Sequence, residues 1–163
     1  MSASLAWKES DLVGEVVTTI TNLNFGPIDD PNIVVASNTI KAGEHSYEKY
    51  IRVLFTGTWT EISNMKFWKS AGAYKTAETV KTAANVNFAT PVATASAVAT
   101  VNVPTTEGTA LAINSYEGAA VITYGAPGVS GYSDYICLQL QTGITTEAGL
   151  VNTKVFTFSW DEQ

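Results

Sequence analysis

Apolar side chains in this chain recur at every second position in short runs, and Gly, Pro, Asn and Asp separate the runs. Successive side chains of an extended strand point to opposite faces, so a period of two predicts β-structure. In residues 46–56, Ile51, Val53 and Phe55 share one face, and Tyr50, Arg52 and Leu54 share the other. Two large apolar residues around a single Arg do not read as a plainly solvated face. Residues 134–142 set Ile136, Leu138 and Leu140 inward against Tyr135, Cys137, Gln139 and Gln141. Residues 151–160 set Phe156, Phe158 and Trp160 on one face and Val155, Thr157 and Ser159 on the other. Residues 59–68 put Met65 and Phe67 opposite Asn64, Lys66 and Trp68. The β-branched run at 15–24 predicts another strand, and 33–40, 98–103 and 110–124 supply further strand material. Only 76–85 offers an alternative, one or two helical turns.

Breakers at 25–32, 41–44 and 125–131 mark loops. Many short strands with turn signals between them predict one antiparallel β-sandwich, jelly-roll or immunoglobulin-like, over residues 16–163. Residues 1–15 hold Trp7 and Leu12 but little core-forming pattern, and are expected to form an N-terminal arm.

A chain of 163 residues is the size of one domain and buries roughly 70% of its unfolded surface. It needs no metal or disulfide to hold a core. Charged residues make up only 15%, against about 25% in an average domain. The surface is therefore polar through Thr, Ser and Asn, which cost less to desolvate than charges and suit contact with neighbours. Net charge is −6, and nine Lys and Arg are spread along the chain. No cluster is available to grip nucleic acid or a membrane surface, so neither is an expected partner. The first residues lack a charged segment followed by an apolar core, and no apolar run approaches the length of a membrane-spanning helix. Synthesis in a reducing cytoplasm is expected.

Residues 70–110 hold 11 Ala and 9 Thr, with only Lys75, Glu78, Lys81 and Glu107 charged. That is too apolar for a solvated linker and too rich in small residues for an ordinary core. A Thr/Ala sheet surface lying flat against a neighbour is the expectation.

Residues that could carry chemistry are few. His45 is the sole histidine and sits in a polar turn, where an exposed loop side chain is expected. One His and one distant Cys make a poor start for zinc. Cys137 lies in an apolar alternation and reads as a small core residue. Asp29-Asp30-Pro31-Asn32 is the densest acidic stretch, and Asp and Asn favour turns more often than calcium. The Gly125, Gly128 and Gly131 spacing matches no phosphate-binding motif. Exposed Trp and Tyr could stack on sugars, but aromatics in strands usually serve packing. No enzymatic activity and no cofactor is expected.

The run Asn38 to Trp68, "NTIKAGEHSYEKYIRVLFTGTWTEISNMKFW", resembles a segment of tailed-phage structural proteins with a β-sandwich domain. Lys154 to Glu162, "KVFTFSWDE", resembles the way such small virion proteins end. The resemblance implies a virion component, first of all a capsid decoration (cement) protein on the capsid exterior. It implies the major capsid protein as partner and a homo-oligomer, with a trimer favoured. The alternative is a tail or fibre component that binds host glycans through exposed aromatics. Leu5, Trp7 and Leu12 of the expected arm are the candidates for docking on the capsid, and Trp68 and Tyr132 are the further partner-binding candidates. Deleting residues 1–12 is expected to leave a folded protein that no longer coats particles.

Overall fold

The computed structural model describes residues 3–12, 14–116, 118–119, 121–123, 131–147 and 152–163. Among the described residues ten strands follow one another: β1 (Ala3–Asp11), β2 (Val16–Ile20), β3 (Lys49–Gly57), β4 (Glu61–Ala71), β5 (Glu78–Val86), β6 (Val101–Asn102), β7 (Leu111–Ala112), β8 (Ile122–Thr123), β9 (Tyr135–Thr142) and β10 (Val155–Glu162). One sheet runs β2-β1-β3-β9-β5-β6, the other β10-β4-β7, with β8 also paired to β4. Every pairing between these strands is antiparallel. The two sheets pack face to face as a β-sandwich. Ile51, Val53 and Phe55 of β3, Val80 of β5 and Ile136, Leu138 and Leu140 of β9 meet Ile62, Met65 and Phe67 of β4. Each large side chain buried this way contributes roughly 1.5–3 kcal/mol. Phe156, Phe158 and Trp160 of β10 close the core, with the Phe67 and Phe156 rings stacked 5.6 Å apart.

Two asparagines shape the sheets. Asn64 and Asn85 have φ of 55° and 57°, a left-handed conformation that Asn tolerates better than most residues. Each sits at a bulge, where β4 shifts register against β10 and β5 against β9. The bulge at Asn64 explains why Ile62 and Met65, three apart, are both buried. Asn85 also ties its sheet to the opposite one: its Nδ2 donates to the Ala112 carbonyl and its Oδ1 accepts the Asn114 N–H. At Gly72 (φ +86°) a Cβ would lie 2.2 Å from the Thr153 carbonyl oxygen, so only glycine lets the approach to β10 pass that close.

Four segments differ from the sequence-based expectation. Residues 3–11, expected as part of an arm at 1–15, are a strand inserted between β2 and β3 and bonded to both. Residues 78–86 are strand rather than helix: Glu78, Val80 and Thr82 alternate as buried residues, and β9 pairs along the whole length. Residues 33–40 form no strand. The Val34 carbonyl instead accepts the Ser37 N–H and the Asn38 side-chain amide, and Val35–Ser37 close into a 3-10 turn.

The fourth difference answers why β3 and β9 are apolar on both faces. Residues 87–100 are irregular chain laid over the outer face of the larger sheet. Ala99, fully buried, packs with Val98, Phe88 and Val86 on Tyr50, Tyr135 and Cys137. Small residues allow that close approach, so the Ala/Thr composition covers the protein's own sheet. Polar clamps hold the cover down. Gln139 is fully buried; its amide donates to the Ser46 and Thr94 carbonyls, and its Oε1 accepts the Ser96 N–H. Ser96 Oγ bonds Glu48 and accepts the Ala99 N–H. Burial pushes the Cys137 thiol up to about 12.

Candidate functional site

Among the described residues, an apolar cleft of about 560 Å3 opens at one flank of the sandwich. Its floor is Ile20 at the end of β2, Ile51 of β3 and Leu140 of β9. Its walls are Trp7 of β1 and the stacked Phe67 and Phe156. Trp7 stands edge-on to Phe67 and Phe158, at 6.2 and 5.7 Å. Residues 21–25 and 152–155 form the rim. Lys154 is the one charged side chain of the lining among the described residues, and its Nζ lies 2.7 Å from Glu78 Oε1, so its charge is balanced inside the protein.

The strands bordering this cleft are sheet edges. β2 pairs with β1 and β10 with β4, and among the described residues neither has a second neighbour. Leu12, Val16, Val17 and Val155 are 47%, 50%, 41% and 48% exposed on the same two elements and the turn between β1 and β2. A five-residue and an eight-residue strand with open ladders can each accept another chain.

A second constellation is internal. The register pairs Lys49 with Leu138 and Glu9 with Ile51, which places both charged side chains on the core-facing row. Both are fully buried and form an ion pair of 2.7 Å. Lys49 Nζ also donates to the Asp30 carbonyl, which ties down the loop after β2. Asp11 continues the row, and Asp29 Oδ2 accepts the Leu12 N–H. Glu9 Oε2, Asp11 Oδ1 and Asp29 Oδ1 are buried with no partner among the described residues. Burial raises the Glu9 carboxyl against the opposing pull of Lys49, and burial then Asp29 raise Asp11. Asp30 Oδ1 accepts the Asn32 N–H, so the acidic stretch makes a turn and Lys49 supplies its positive charge. No group of three or more His, Cys, Asp or Glu among the described residues is placed to hold a metal.

A carboxyl whose folded-state value is raised contributes stability below its unfolded value, and that contribution is lost as pH rises through the folded one. Asp11→Asn should therefore be more stable than the native chain at pH 7. The gap should close as pH falls below the ordinary Asp value of 3.8. Urea midpoints between pH 3.5 and 7 measure this. A less stable variant at pH 7 would mean the Asp11 carboxylate is favourably held.

Of the residues singled out in the sequence, Trp7 lines the cleft, Leu5 packs half-buried against the core and Leu12 is exposed at the β1–β2 turn. Trp68 is half-buried and pairs with Thr157 of β10. Tyr132 lies elsewhere: the Arg52 guanidinium sits 4.1 Å over its ring, 4.4 Å over Tyr135 and 5.0 Å over Tyr116. That stack, with the Arg52–Glu15 pair at 3.2 Å, uses Tyr132 as packing. His45, expected exposed, is half-buried and forms a β-bridge with Gln141. The glycines at 125 and 128 lie outside the described residues. Sequence reading missed Lys49 and Glu9, although Lys49 stands two positions before Ile51 on an inward row. It also missed the rim at 21–25 and 152–155, for which no local signal exists. No protein-family model, curated protein or solved structure matches the chain at a significant level.

Proposed function

We propose that this chain is a structural subunit of a tailed-phage virion, a decoration protein that binds the major capsid protein on the head exterior and reinforces the lattice. The observation that carries this reading is the flank where two open strand edges, β2 and β10, border one apolar cleft. The buried Lys49 and Glu9 pair with each other and the buried Gln139 amide bonds the covering segment, whereas the flank offers, among the described residues, unpaired strand edges and apolar side chains. The stretches that resemble virion proteins support it. They form β3, most of β4 and β10, and β4 and β10 are neighbours in one sheet despite their distance in sequence. Apolar area contributes roughly 25 cal/mol per Å2, less the ordering cost of association, and repetition over a lattice makes the reinforcement cooperative. A closed homo-trimer is the expected solution state.

The test mixes the purified chain with empty, expanded capsids built from the major capsid protein of the phage that carries it, then pellets the particles. Saturable co-sedimentation at a stoichiometry set by the lattice, with a higher capsid melting temperature, is expected. A chain that stays in the supernatant at every concentration removes the proposal.

A further inference from the structure

We infer that the flank cleft is a binding site for a small, uncharged molecule with a flat or elongated apolar body and one hydrogen-bonding end. Its volume, about 560 Å3, falls within the ~300–1,000 Å3 range of ligand pockets. Its composition also matches such pockets, with an apolar interior and a few polar groups at the entrance. The interior has two textures. Phe156, half-buried and stacked on the fully buried Phe67, and the half-buried Trp7 present aromatic surface, and Leu23 and Val155 present aliphatic surface over the buried Ile20, Ile51 and Leu140. A planar ring system can lie against Phe156 and Trp7 while its edges meet Leu23 and Val155.

The electrostatics select the ligand's charge. The Lys154 ammonium is engaged by the buried Glu78 carboxylate and by the Asn152 carbonyl. An anion entering the cleft would compete with Glu78 for that ammonium and leave a buried carboxylate unpaired, which is costly. Among the described residues of the lining, a cation would meet no carboxylate. A neutral ligand disturbs neither group. Hydrogen bonds can come from Asn22, Asn24 and Thr153 on the rim. This inference stands on the cleft alone and does not depend on the virion reading.

Two probes with the same ring system separate the possibilities: N-phenyl-1-naphthylamine, which is neutral, and 1-anilinonaphthalene-8-sulfonate, which carries a sulfonate. Fluorescence titration of the full chain is expected to show saturable one-to-one binding of the neutral probe. The sulfonate should bind about tenfold more weakly or worse, a difference of ~1.4 kcal/mol. Leu23→Trp puts a large ring into the cleft from its rim and should reduce neutral-probe affinity about tenfold or more. Thr153→Trp, from the opposite rim, serves the same purpose if Leu23→Trp does not fold. Ile144→Ser removes an 88% exposed apolar side chain that is not part of the lining, and should leave binding unchanged. Absence of saturable binding, equal or tighter binding of the sulfonate, or binding that survives both filling variants would each overturn the inference.

Discussion

Removal of residues 1–12 is expected to leave a chain that no longer folds cooperatively. β1 is hydrogen-bonded to β3 from Ala3 to Ser10 and to β2 from Trp7 to Asp11, so its loss strands β2 and opens the β3 edge. Trp7 goes with it, and its ring packs on Phe67 and Phe158 in the core. Deleting a core aromatic costs about 3–5 kcal/mol. Glu9 goes too, which leaves the Lys49 ammonium buried and unpaired at about 3–5 kcal/mol more. Together these approach or exceed the ~5–15 kcal/mol that holds a typical domain. Circular dichroism and thermal melting of the truncated chain measure the outcome. A sharp melting transition in that chain would show that residues 1–12 are a dispensable arm, as the sequence pattern alone suggests.

Lys49→Met is expected to lower stability by about 3–5 kcal/mol, because a buried carboxylate then has no counter-charge. Met matches the aliphatic stem, so packing is nearly kept and charge is the variable. The loss should shrink in acid. Burial already raises the Glu9 carboxyl and Lys49 opposes the rise, so without Lys49 it protonates more readily and the penalty fades as pH falls. The double variant Glu9→Leu/Lys49→Met should recover most of the loss, since replacing both partners of a buried pair by apolar groups is often neutral or better. Urea unfolding of the two variants at pH 5 and pH 7 tests both statements. A single variant within about 0.5 kcal/mol of native, the scatter of ordinary surface substitutions, would mean that the pair is hydrated.

The same pair shows why the first strand is hard to read in the sequence. The inner row of β1 is Ala3, Leu5, Trp7, Glu9 and Asp11, and its last two members are carboxylates. An apolar alternation is broken there because the strand's partner is a lysine 40 positions away. By contrast β3, β9 and β10 carry unbroken apolar rows, Ile51-Val53-Phe55, Ile136-Leu138-Leu140 and Phe156-Phe158-Trp160, and are legible at once. In β9 the second row is buried as well: Tyr135, Cys137 and Gln139 lie under residues 87–100. The alternation reads correctly as strand but misleads about which face meets water. The covering segment has no period of its own. Its position depends on Gln139, Ser96 and Glu48, which come together only in the fold.

The cleft shows the same division. Trp7 was visible as an aromatic without an evident partner, but its neighbours come from residues 20–25, 51, 67, 140 and 152–156. A property shared by segments so far apart along the chain has no local signature. From sequence alone, period-two patterning and turn residues determined an all-β sandwich, because side-chain direction in an extended chain is a local matter. Only the tertiary structure decided that residues 3–11 belong to the sheet, that Lys49 finds Glu9, and that an open flank lies between β2 and β10. Each of these depends on which strands become neighbours, and that is settled by the packing of the whole chain.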